Sequence, residues 1–192
     1  MDNLPPVTIR KANADDIDDI MEIEHLSFHP EVIESEKVFE DRIAVFPDGF
    51  LIAEIENENG KTIAGYISSE LWKYSEEIPY SNFGLNHSVY ETHSDDGEEL
   101  YISSIAVNPT VRGGKVGKRL FTDLLENVSK EYKLKSAILL VNSDWQNAYN
   151  MYRKEGFVTV DKIFDFFPVL ENSDSGDNPS GTGIIMRKPL SD

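Results

Sequence analysis

The chain has 192 residues, 35 acidic against 18 basic side chains, a formal net charge of -17 and no cysteine. This length fits one domain around a single core, and 40% hydrophobic with 28% charged residues is a globular composition, neither disordered nor membrane-spanning. Lack of cysteine excludes disulfides, thiolate catalysis and cysteine-ligated zinc, while the negative field disfavours nucleic acid and attracts cations or amines, though it serves equally as a solubility device.

In chain order, residues 7–11 predict a short strand, and Asn13 can cap a helix over 14–28 with Ile17, Ile20, Met21 and Glu24 on one side. Pro30 stops it. A second helix is expected over 34–46, then a Pro47-Asp48-Gly49 turn into a strand over 50–55, a hairpin signal at 57–60 and a returning strand over 61–74. Residues 74–98 hold Tyr74, Tyr80, Phe83, His87, Tyr90 and His93 without a clear period; a long irregular connection of this kind reads as a lid over a site.

Residues 99–107 alternate, with Glu99, Tyr101, Ser103, Ile105 and Val107 on one face and Leu100, Ile102, Ser104 and Ala106 on the other, the period of a strand. Asn108-Pro109 ends it. From Val116 onward the apolar positions Leu120, Phe121, Leu124, Leu125, Val128 and Tyr132 recur at helical spacing. The stretch 112–117 therefore opens a helix directly after a strand, where unpaired backbone N–H groups and the helix dipole favour an anion. Gly113, Gly114 and Gly117 let a ligand approach the backbone, and Arg112, Lys115, Lys118 and Arg119 concentrate positive charge in an acidic protein. Neither a P-loop nor a dinucleotide-binding glycine pattern fits this stretch.

Beyond it, 136–142 predicts an apolar strand reached by a helical crossover and so parallel to 99–107. A helix over 145–155 closes at Gly156, strands follow at 157–164 and 183–188, and the polar, glycine-rich stretch 171–181 is expected to be a mobile loop. There is no internal repeat, no run of roughly 18 to 20 apolar residues and no basic leader, so one cytosolic domain over 1–192 is expected, without a membrane or nucleic-acid partner, as a monomer or homodimer. His25, His29, His87 and His93 are dispersed, and no metal site is expected.

Residues 105–120, IAVNPTVRGGKVGKRL, resemble the acetyl-coenzyme A signature of the GNAT superfamily of N-acetyltransferases, Q/R-x-x-G-x-G/A after a strand ending in a hydrophobic-Ala-Val run. Arg112 and Gly117 match it, while Lys115 stands at the middle glycine, with Gly114 one place earlier. Residues 147–157, NAYNMYRKEGF, resemble the family's second signature, A-x-x-h-Y-x-x-x-G-F with h apolar. Phe28 to Ser35 and Phe46 to Ala53 look most like the arylalkylamine (serotonin) N-acetyltransferase branch. The resemblance implies an α/β (α+β) fold with a mixed, mostly antiparallel sheet of about seven strands and about four helices. That sheet splays between the strands near 99–107 and 136–142.

The same resemblance implies a co-substrate and a set of site residues. Acetyl-coenzyme A is the expected co-substrate, with its pyrophosphate on Arg112, Gly113, Gly114, Lys115, Val116, Gly117 and Lys118. By the family pattern its pantetheine runs along Ile105, Ala106 and Val107, with Asn142, Asn147, Tyr149 and Tyr152 across the splay. Tyr152 takes the place of the family's acid, which protonates the leaving thiolate. The branch's strand histidines correspond to Tyr101 and Ser103, so a water chain through Glu99, Tyr101 and Ser103 is one proton path. Glu24, His29 and Glu34 are placed to hold the substrate ammonium. The expected activity is acetyl transfer to a primary amine, a small (aryl)alkylamine or polyamine. A peptide or protein N-terminal acetyltransferase and a non-catalytic acyl-coenzyme A sensor stand as alternatives.

Overall fold

The computed structural model describes residues 6–58, 60–111, 115–168 and 181–190. Its frame is one seven-stranded sheet in the order β1-β2-β3-β4-β5-β7-β6. The strands are β1 (Val7–Lys11), β2 (Phe50–Asn57), β3 (Gly60–Trp72), β4 (Glu99–Val107), β5 (Ser136–Asn142), β6 (Val158–Ile163) and β7 (Gly183–Pro189). Among the described residues only β4 and β5 run parallel; the other pairings are antiparallel. The parallel pair is the one joined through a helix, α4 (Val116–Glu131), as a parallel connection requires. The fold is mixed α/β with a mostly antiparallel sheet, as the sequence predicts.

Helices cover both faces. One core cluster packs α4 and α5 (Gln146–Lys154) against Leu51, Ala53, Ile67, Leu100 and Ile102; the other packs α1 (Ile17–Ser27) and α2 (Glu36–Val45) against Phe50, Ile52 and Tyr66. On α4 every position of the predicted stripe from Val116 to Val128 is buried. Each such side chain contributes roughly 1.5–3 kcal/mol, so the stripe holds the helix start firmly at the end of β4. A fifth, short helix, α3 (Val89–Thr92), lies in the segment without sequence period. Among the described residues no helix is long and apolar enough to cross a membrane.

Two features of β4 place the site. Its ladder with β5 runs from Glu99–Ser136 to Ile102–Leu139 and stops, so β4 continues to Val107 and β5 to Asn142 without each other. This is the expected splay. Against β3 the register moves between Ser68–Ser104 and Ser69–Ile102, which makes Ser103 the extra residue of a β-bulge. The bulge corrects the sequence reading of faces. Past it the alternation is reversed: Ile105 and Val107 pack with Leu100 and Ile102 on the α4 side, and Ala106 joins the α1–α2 cluster.

Candidate active site

The splay opens into a cavity of about 1340 Å³. Its floor is the free length of β4, Ser103 to Val107, and its opposite side is β5 and the start of α5, from Leu139 to Ala148 with Met151 and Tyr152. Gly117, in the first turn of α4, lines one part; Glu24, Phe28, His29 and Val32 from the end of α1 and the chain after it line another. Phe28, Trp145 and Phe167 form a continuous aromatic wall, with ring centroids 5.6 and 5.3 Å apart. The carboxylates Glu24, Glu34 and Asp144 line the cavity, and no lysine or arginine does so among the described residues.

The expected residues divide into groups. Tyr152 faces the cavity from α5, buried against Phe121 and Phe157, and no protein partner to its hydroxyl is found among the described residues. Burial pushes its phenol above the ordinary value, so it stays protonated and fits the role of a donor. Ser103, Ile105, Ala106, Val107, Gly117, Asn142 and Asn147 also line the cavity. Arg112, Gly113, Gly114 and nearly all of the 171–181 stretch lie outside the described residues. Lys115 and Lys118 sit at the start of α4 beside a smaller hollow of about 350 Å³, and Lys118 Nζ lies 3.0 Å from Glu155 Oε1. Lys115 has φ 61°, the left-handed conformation that glycine takes without strain, at the very position where the family pattern carries glycine.

Glu99, Val116 and Tyr149 lie outside the cavity. Glu99 is 1% exposed; Ser136 Oγ donates to it at 2.7 Å and Arg187 Nε sits 2.7 Å from its Oε1, at the end of the β4–β5 ladder remote from the splay. Val116 is a core residue of the α4 stripe. Tyr149 packs against the core cluster of α4 and α5, its hydroxyl 3.3 Å from Thr159 Oγ1. Tyr101 lines the cavity as a stacked aromatic, 4.0 Å from Trp72 between ring centroids, and burial pushes its phenol up as well. It cannot accept a proton as a phenolate near neutral pH.

The α1 side of the cavity is a buried ionic cluster. Glu34 is gripped by Arg42 through two hydrogen bonds of 2.5 and 3.0 Å and accepts from the backbone N–H of Asn86 at 3.0 Å. Its charge is committed within the protein. His29 is exposed and its Nδ1 accepts from Glu31 N at 3.4 Å. Glu24, 2% exposed, accepts a hydrogen bond from Tyr66. Burial, chiefly, pushes its carboxyl up to about 7; Glu34 adds to this, while Tyr66 and Arg42 oppose it.

Residues 74–98 form a docked wall. On β3, buried Glu70 accepts from His87 and Thr92, Asn86 meets Glu34, and His93 Nδ1 accepts from Leu71 N at 3.1 Å. Burial raises the Glu70 carboxyl, but His87, Thr92 and Arg42 outweigh this and hold it below the ordinary value. Phe83 and Leu85 of this segment line the cavity. Sequence reasoning missed Tyr66, Ser104 and the aromatic wall. The available signals were a Ser103-Ser104 pair inside an apolar strand and a lone phenol in the apolar run of β3.

No curated protein matches the sequence. Solved structures share the fold. The loading GNATL domain of CurA from Lyngbya majuscula is 12% identical, with TM-score 0.75, over 96% of this chain and 98% of that one. The ribosomal-protein-S18-alanine N-acetyltransferase from Escherichia coli is 18% identical, with TM-score 0.66, over 97% and 96%. Arabidopsis thaliana Naa50, in complex with the bisubstrate analogue CoA-Ac-MVNAL, is 19% identical, with TM-score 0.64, over 96% and 99%. The splayed parallel pair, the helix that starts at its open end and the tyrosine across from it all fall inside residues 17–157. That stretch matches the model of the acetyltransferase (GNAT) family, and the chain belongs to this family.

Proposed function

We propose that the protein is an acetyl-coenzyme A-dependent N-acetyltransferase acting by direct transfer to a small primary amine, an arylalkylamine or polyamine, in the arylalkylamine branch of its family. The observation that carries this reading is the pairing, in one cavity at the strand splay, of the buried Tyr152 hydroxyl with a buried carboxylate poised near neutrality.

The residues present fit the co-substrate. Ser103 to Val107 offer a strand edge without a β5 partner, suited to an extended chain with amide groups. Gly117 leaves the first turn of α4 open: a Cβ there would stand 3.4 Å from Val107 Cγ2, and anything larger would grow into the cavity. Arg112 to Gly114, Lys115 and Lys118 would add N–H groups and charge at the helix start. Asn142 and Asn147 border the same space. When bound, acetyl-coenzyme A supplies an activated acetyl thioester.

The chain's own groups supply the rest. An amine attacks only as the free base, and Glu24, pushed up to about 7, is close to the value at which a general base works best near neutral pH. Tyr152 keeps its proton and holds it for the leaving thiolate. Glu24 and Asp144, with no lining lysine or arginine among the described residues, favour a cation without a carboxylate of its own. The aromatic wall of Phe28, Trp145 and Phe167 gives such an amine an apolar and aromatic surface and narrows the route for a peptide.

The test is acetyl transfer from acetyl-coenzyme A to a panel of arylalkylamines and polyamines and to a panel of peptides, read as product mass. Mono-acetylated small amine is expected as the dominant product. Preferential acetylation of peptide N-termini would overturn the acceptor assignment, and coenzyme binding without transfer to either panel would overturn the enzymatic one.

A further inference from the structure

The base is deeper than the strand at which the amine must react. Glu24 is 2% exposed, whereas Ser104 is half-buried, lines the cavity and lies two residues past the last β4–β5 pair. Tyr66 stands between them on β3. Its hydroxyl donates to Glu24, and its oxygen lies 2.9 Å from Ser104 Oγ. Because the single phenolic proton is committed to Glu24 when that carboxylate is ionised, Ser104 is the donor to Tyr66. The three groups therefore form one directed chain.

We propose, resting on the acetyltransferase reading above, that Ser104 and Tyr66 relay the proton of the substrate ammonium to Glu24. The ammonium N–H bond breaks as an O–H bond forms on Ser104. Ser104 passes its own proton to the Tyr66 oxygen, and Tyr66 passes its own to the Glu24 carboxylate. One proton leaves the amine, one arrives on Glu24, and both hydroxyls end neutral. Tyr66 acts only by such exchange, since burial, followed by the charge of Glu24, pushes its phenol well above the ordinary value. Its ring is held by Phe39 and Phe50, at 5.7 and 5.8 Å, so the hydroxyl has a fixed position. The bulge at Ser103 lets this happen, because it turns Ser104 toward β3 and Tyr66 instead of following the alternation of the strand. Ser104 is a catalytic residue in this scheme and Tyr66 a positioning one. The groups facing Glu24 are Tyr66 on β3, Arg42 on α2 and Glu34 before it.

The experiment measures kcat and its pH dependence for acetylation of the best amine by the wild-type protein, Ser104→Ala, Ser104→Thr and Tyr66→Phe. Ser104→Ala should lower kcat roughly 10- to 100-fold, leave KM for acetyl-coenzyme A and the acid limb in place, and be rescued by Ser104→Thr. Tyr66→Phe should lower kcat and move the acid limb up by roughly 0.5–1 pH unit, because Glu24 loses a hydrogen bond to its charged form. Wild-type kcat in Ser104→Ala, with chemistry rate-limiting, overturns the relay alone, since Glu24 then takes the proton directly. A wild-type protein that acetylates no amine overturns the enzymatic reading and the relay with it.

Discussion

Glu99→Ala separates framework from chemistry. The Glu99 carboxylate is buried at the end of the β4–β5 ladder, where it meets Arg187 Nε at 2.7 Å and Nη2 at 3.2 Å and accepts from Ser136. Removing one partner of a buried ion pair costs about 3–5 kcal/mol, because the other charge is left uncompensated. Arg187 is better placed than an isolated cation: its side chain is 13% exposed, Nη2 still reaches the Ser75 carbonyl at 2.9 Å, and the Tyr74 ring lies 5.2 Å away. The loss should therefore fall at the lower end, about 3 kcal/mol, which for a chain of this size lowers Tm by about 6–12 °C. Urea unfolding followed by circular dichroism reads it as a lower midpoint with an unchanged slope. Acetyl transfer measured well below the new Tm should keep the wild-type kcat. A stability loss under about 1 kcal/mol, or a reduced kcat in the folded variant, would refute this account and return Glu99 to the proton path.

Three further outcomes rest on local geometry. The folded value for Glu24, about 7, lies above the ordinary 4.5, so its contribution to stability is full below about pH 4.5 and is lost as pH rises through 7. Glu24→Gln should thus stabilise the protein by roughly 3 kcal/mol at about pH 8.5 and by little near pH 4.5 while turnover collapses; equal effects at both pH values would contradict the burial argument. Lys115→Gly should raise stability by about 0.5–1 kcal/mol in thermal unfolding, since relief of the left-handed backbone exceeds the entropy that glycine adds to the unfolded chain. Gly117→Leu should weaken acetyl-coenzyme A binding roughly tenfold or more with the fold intact, and unchanged affinity by calorimetry would remove the α4 start from the binding site.

Elements with a strong period were legible in the sequence: β4 and β5 run over the predicted residues, and α4 differs only at its last turn. The bulge was not, because alternation assumes one residue per step and an inserted residue reverses every face beyond it without changing composition. Glu24 was half legible, as a carboxylate on the apolar side of α1. That it is buried beside Tyr66, 42 residues away, belongs to tertiary packing. The partner of Glu99 was hidden for the same reason, since Arg187 stands 88 residues downstream. The 74–98 segment gave no pattern because side chains such as Glu70 and Glu34, not a repeating backbone, hold it in place.

On the proposed function, the cavity at the splay is where an acyl group changes hands, with Tyr152 supplying the proton to the departing thiolate. Tyr152→Phe keeps the ring against Phe121 and Phe157 and removes only the hydroxyl that carries that proton. In a single-turnover experiment, protein saturated with acetyl-coenzyme A is mixed with amine and thiol release is followed. The variant should bind the co-substrate with wild-type affinity, melt at the wild-type temperature and release thiol roughly 10- to 1000-fold more slowly. Thiol release at the wild-type rate would make Tyr152 a packing residue and contradict the account.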